Sequence, residues 1–203
     1  MLRDGTGRGV GVVRMKAFGA LLLLSVASLA ASAQQAVREG LGATLGPSLI
    51  GGTVDCDRCA DGVFAGVGGQ LSLGSFVRPD LLAGAQFSVH TLPLANYRLD
   101  AKFLSGTLQW YPAASKGFHI KGSVGMAWLA VLDNEDEESR RHTLTAPTLG
   151  ISLGYDIRRR PSFLLTPFAS VTRTIGGDYK RNGQKLGPAA ATALQIGLGF
   201  SWY

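Results

Sequence analysis

Strict two-residue alternation recurs in eight separate stretches, and few architectures can satisfy it. In segment 37–49 the odd positions Val37, Glu39, Leu41, Ala43, Leu45, Pro47 and Leu49, mostly apolar, oppose Arg38, Gly40, Gly42, Thr44, Gly46 and Ser48. Successive side chains of a strand point to opposite faces, so such a segment has one apolar and one small or polar face. The same split runs through 63–77, 81–91, 102–111, 118–131, 145–158, 163–175 and 191–203. In the last of these Leu194, Ile196, Leu198, Phe200 and Trp202 oppose Gln195, Gly197, Gly199 and Ser201. No stretch between them carries a convincing i, i+3, i+4 apolar repeat. Composition agrees with strands, because 28 glycines oppose helix formation. The 46% hydrophobic and 17% charged content excludes a disordered chain.

Eight strands of this length exceed the usual five or six residues of globular strands and match tilted membrane-spanning strands. The expected connections alternate: short at 77–80, 112–117 and 159–162, long at 52–62, 92–101, 132–143 and 176–190. Short turns on one rim and longer loops on the other are the outer-membrane pattern. The outward-facing aromatics Trp110, Phe118, Tyr155, Phe163 and Trp202 all fall at the short-turn rim, where an interfacial girdle is expected. A soluble lipocalin-type barrel is the competing architecture. It would turn a charged face to water, whereas the polar face here is mostly Gly, Ser and Thr, and it has no use for an aromatic rim.

The formal charge of +6 suggests an anionic partner, but half of it belongs to a leader. Residues 15–33 read as a signal peptide: Met15-Lys16, an apolar run from Ala17, then Ala31-Ser32-Ala33 as the small-residue cleavage site. Residues 1–14 read as an extension mis-assigned ahead of a true start at Met15, and 34–203 as the exported barrel. The apolar run is too short for a membrane helix of about 20 residues. Without the leader no basic nucleic-acid footprint remains.

Further residues carry a resemblance. Cys56-Asp57-Arg58-Cys59, Gln109-Trp110-Tyr111-Pro112, Phe118-His119-Ile120-Lys121-Gly122, Leu153-Gly154-Tyr155-Asp156-Ile157-Arg158, Leu165-Thr166-Pro167-Phe168 and Leu194–Tyr203 resemble the small eight-stranded outer-membrane β-barrel proteins of Gram-negative bacteria. More narrowly, the chain looks like a subgroup with Cys-x-x-Cys in its first outer loop. The resemblance implies an all-β, eight-stranded, antiparallel up-and-down transmembrane barrel in the outer membrane, and no activity. One departure concerns recognition of the last strand by the barrel assembly machinery. Many barrels end in Phe on the lipid face, whereas here Trp202 and then Tyr203 close the chain.

Few residues suggest chemistry. Cys56 and Cys59 are the only cysteines; in an oxidising compartment they are expected as a short loop disulfide. A zinc site would need two more ligands, and a redox pair a helix start. Ser88 and His90 share the inward face and are the one pair a lipid-modifying hydrolase could use. The acidic run 133–138 lacks the spacing of a calcium loop. No catalytic residue, metal or cofactor is expected. Lys180, Arg181 and Lys185 could meet anionic lipopolysaccharide. Parity also sends Arg38, Gln109, His119, Lys121, Asp156 and Arg158 into the short-turn half of the lumen. There Asp156 is expected to accept from Lys121, Arg158 or Arg38, because an enclosed charge must be paired. The function expected is structural or interactive at the cell surface with no wide pore, against a lipid-modifying enzyme or a small ion channel.

Overall fold

The computed structural model describes residues 40–56, 62–93, 97–113, 116–133, 140–160 and 162–202, all within one unit of the chain. Ten strands follow one another in sequence. They are β1 (Leu41–Cys56), β2 (Gly62–Arg78), β3 (Leu81–Pro93), β4 (Tyr97–Trp110), β5 (Phe118–Asp133), β6 (Arg140–Tyr155), β7 (Ile157–Arg160), β8 (Phe163–Thr174), β9 (Gly177–Arg181) and β10 (Gln184–Trp202). Two breaks reduce them to eight positions round a ring. At Asp156 the strand β6 gives way to β7, which keeps pairing with β8. At Ile175-Gly176, β8 gives way to β9, and both pair with β6 on one side and β10 on the other. Gly176 takes a left-handed φ of 58°, which allows that kink without Cβ strain.

Every pairing is antiparallel, and β1 pairs with β10 to close the ring. Closure removes the unpaired strand edges that an open sheet would expose. The register fixes its geometry. Partners lead from Trp202 through Ala43, Leu73, Ala85, Gly106, Val124, Leu149 and Arg173 back to β10 at Thr192, ten residues from the start. Eight strands with that stagger tilt by roughly 40° and enclose a space just wide enough for side chains.

The burial pattern is inverted relative to a soluble protein. Leu45, Leu71, Leu104, Val124, Ile151 and Ile196 are exposed on the outer face, while Ser48, Gln70, Ser88, Gln109, Ser152 and Gln195 are buried inside. A continuous apolar belt of this kind is incompatible with water on the outside. On β5, Phe118 and Trp128 share the outer face ten residues apart. At roughly 3.3 Å per residue and the tilt above, they stand about 25 Å apart along the axis, the height of a barrel's apolar band. Among the described residues no helix is long and apolar enough to cross a membrane.

The outer connections depart from expectation. Regions read from sequence as long loops contain much strand: β1 runs to Cys56, β4 starts at Tyr97, β5 runs to Asp133, β6 starts at Arg140, and β9 and β10 meet at the Asn182-Gly183 turn. Residues 57–61, 94–96 and 134–139 lie outside the described residues. The strands run on past the apolar belt because their backbone pairs continue. Alternation fades there, since both faces meet similar surroundings, and sequence periodicity ends before the strand does.

Candidate functional site

The lumen is filled in three layers. Nearest the short-turn rim, Asp156 is buried and accepts hydrogen bonds from Tyr111 Oη at 2.9 Å and Thr166 Oγ1 at 2.9 Å. His119 Nδ1 stands 3.6 Å from the same carboxylate. Gln109 Nε2 donates to Tyr111 Oη at 2.5 Å, and the Tyr111 and His119 rings lie 5.2 Å apart. Thr166 and Thr44 both meet Ser201, at 3.2 and 2.8 Å. The turns reinforce this layer. The Asp156 backbone N–H donates to Gly117 O at 2.9 Å, and that of Tyr111 to Asp80 O at 2.8 Å.

Of the cations expected to serve Asp156, two lie among the described residues. Lys121 lies in the lumen but donates to Gln86 Oε1 at 2.5 Å, Arg158 is exposed, and Arg38 lies outside the described residues. The hydroxyls of Tyr111 and Thr166 bond the carboxylate, and its charge attracts Lys121 through space. Lys121 sits three residues along β5 from Phe118 and reaches Gln86, while Arg158 follows the break at Asp156 on β7. Tyr111 was not among the expected site residues. Its signal was parity: it extends the inward series Thr107, Gln109 by one step beyond the strand.

The middle layer spans the lumen. Lys121 bonds Gln86, Gln86 Nε2 donates to Gln70 Oε1 at 3.2 Å, and Gln195 Nε2 reaches Gln70 Oε1 at 3.4 Å and Ser48 Oγ at 3.0 Å. Ser48 Oγ and His90 Nε2 complete the chain at 2.8 Å. Five ring positions are thereby tied together. Two cavities of about 30 Å³ each adjoin this bridge, sharing Gln70, Lys121 and Phe168 in their walls. The third layer is apolar, with Ala101, Leu129, Leu144, Ala146, Ala189 and Ala191 buried against Val54, Phe103 and Tyr179. Tyr179 Oη and His142 Nδ1 meet at 2.7 Å with the rings stacked. Burial raises the Tyr179 phenol above its ordinary pKa.

The remaining candidate residues are placed as follows. Ser88 and His90 both point inward and are buried, but the hydroxyl that meets His90 is that of Ser48. Trp110, Phe118 and Trp202 are exposed on the outer face; Phe118 pairs with Tyr155, and Trp202 with Phe163, at the short-turn rim. Cys56 ends β1 and Cys59 lies outside the described residues. On the outer hairpin Lys180, Arg181 and Lys185 are exposed, and Lys185 Nζ pairs with Asp178 at 2.5 Å. That bond holds the Asp178 carboxyl below its ordinary pKa. No group of His, Cys, Asp and Glu suited to a metal occurs among the described residues.

No family model and no curated sequence matches the chain. Solved structures do. The attachment invasion locus protein Ail of Yersinia pestis superposes with a TM-score of 0.59 at 12% identity, covering 81% of this chain and 100% of that one. The fold is that of a small outer-membrane β-barrel. The OprG outer membrane protein of Pseudomonas aeruginosa superposes with a TM-score of 0.52 at 11% identity, over 83% and 99% of the two chains. Neisserial surface protein A gives 0.51 at 11% identity, over 81% and 99%. A second structure of the Yersinia pestis protein holds the heparin analogue sucrose octasulfate; it superposes at 0.54 with 15% identity, over 81% and 100%.

Proposed function

We propose that this protein is a closed barrel of the bacterial outer membrane, exported by the signal at 15–33, with a structural or surface-interaction role. The carrying observation is the combination of an apolar outer belt with a lumen filled at every level, from Asp156 to Leu144. The belt requires lipid around it, and the filled interior leaves no wide path through it. Ser48, Ser88 and His90 are all buried inside the ring, which argues against their acting on a membrane lipid. Mature protein refolded in detergent is expected to migrate faster unboiled than boiled on a gel, and in planar bilayers to give no steady conductance. A persistent open state would replace this reading with that of a channel, and a changed lipid A mass profile in cells would replace it with that of an enzyme.

The surface partner supported best is the anionic saccharide and phosphate of lipopolysaccharide. Lys180 and Arg181 stand exposed on the hairpin between β9 and β10, and Arg173 is exposed below them on β8. The sulfated ligand held by the Yersinia pestis barrel belongs to that protein, and its chemistry is the kind these cations would meet. Exchanging Lys180 and Arg181 for Ser is expected to weaken retention on immobilised lipopolysaccharide without altering gel mobility. Equal retention would remove the hairpin from the interaction. The last strand, ending at Trp202-Tyr203, is the segment proposed to engage the assembly machinery.

The outer loop adds a chemical expectation. Cys56 and Cys59 are proposed to form a disulfide in the exported protein. Alkylation of the denatured protein without reductant should then add no mass. Two added labels would rule the bond out.

A further inference from the structure

Among the described residues the lumen holds the ammonium of Lys121, which the hydroxyl bonds around Asp156 do not use and which the Asp156 charge attracts from a distance. Lys121 Nζ carries three donors, and among the described residues the acceptor it reaches is Gln86 Oε1. It forms part of the wall of the cavity lying farther from the short-turn rim. That cavity is also lined by Ser88, Ser105, Ser123, Ser152 and Ser170, and by no carboxylate. Ser152 is 4% exposed, and its Oγ has no hydrogen-bond partner among the described residues. Asp156 is absent from the walls of both cavities, and its two oxygens accept from Tyr111 and Thr166.

We propose that this cavity binds one halide-sized anion, held by the Lys121 ammonium and the Ser152 hydroxyl. Two physical requirements meet there. An enclosed ammonium needs acceptors for its remaining N–H bonds, and an unpartnered buried hydroxyl is costly until it donates. A single anion satisfies both at once. Enclosed by the barrel wall rather than by bulk water, it is attracted to Lys121 more strongly than in water. The cavity, of about 30 Å³, has room for a monatomic ion or a water or two. The side-chain carbonyls on its wall are already engaged, Gln86 Oε1 by Lys121 and Ser72, and Gln195 Oε1 by Ser170. A cation would face the ammonium and is disfavoured.

The test uses the full exported chain refolded in detergent in sodium bromide and crystallised from bromide. Diffraction at the bromine edge is expected to show one anomalous peak within hydrogen-bond distance of Lys121 Nζ and Ser152 Oγ. Lys121→Met, which keeps the length of the side chain without its charge, should lose that peak while retaining heat-modifiable gel mobility. If Lys121→Met does not fold, Ser152→Ala takes its place and should lower the bromide occupancy. Wild-type crystals with bromide on the outer surface alone, or with water alone in the cavity, overturn the proposal. So does a peak that persists undiminished in the variant.

Discussion

Asp156→Ala is expected to destabilise the folded barrel by about 3 kcal/mol, the order of magnitude for leaving buried hydrogen-bond donors unsatisfied. The carboxylate is the acceptor for Tyr111 and Thr166, and Tyr111 also takes the amide of Gln109. Its removal takes the acceptor from both hydroxyls where water has little access, since Tyr111 is fully buried and Thr166 nearly so, and leaves Thr166 its contact with Ser201. It also deletes the negative charge that offsets Lys121 within the same lumen. Asp156→Asn keeps an acceptor oxygen and should lose less. Urea unfolding in lipid vesicles, followed by tryptophan fluorescence, measures the difference. An alanine variant that unfolds at the wild-type urea concentration would show that the cluster contributes nothing.

Gly46→Val should prevent the ring from closing. A Cβ at Gly46 would stand 2.0 Å from the Leu198 carbonyl oxygen and 2.8 Å from the Gly199 Cα. Both are backbone atoms of β10, so no side chain can rotate away to make room. The alternatives are to separate β1 from β10 over several residues or to leave the seam unformed, and either exposes backbone polar groups to lipid. The variant is expected to lose heat-modifiable mobility and to be digested by trypsin where the wild type resists. The contrasting variant is Gly122→Ala on the lipid face, where a Cβ meets nothing within 4 Å; it should fold normally. Normal folding of Gly46→Val would mean that the β1–β10 seam has a different register.

These two sites also show how far the sequence could be read. Asp156, Gln109, Thr166 and His119 each carry the inward parity of their strand, so their shared enclosure follows from counting by two. What they bond to does not. Alternation places a side chain on a face without giving its height relative to residues on other strands. Lys121 therefore looked available to Asp156, although it extends toward Gln86. Likewise Gly46 is one of many inward glycines in the sequence, and only the register shows that its Cβ would meet Leu198. The outer strand extensions escaped notice for a different reason. Beyond the lipid no solvent difference separates the two faces, so pairing continues without a periodic record.

The sequence by itself determined that the chain makes long strands, which face each residue takes, and that the apolar face points outward with aromatics at one rim. Those are local properties: backbone geometry sets the period, and the solvent on each side sets the polarity. Tertiary structure alone decided the ten-residue stagger at closure and the side chains that meet across the lumen. Gln195 and Ser48 bond although 147 residues apart, and Ser48 and His90 although 42 apart. Such contacts depend on the strand offset accumulated once round the ring, a quantity no single segment encodes.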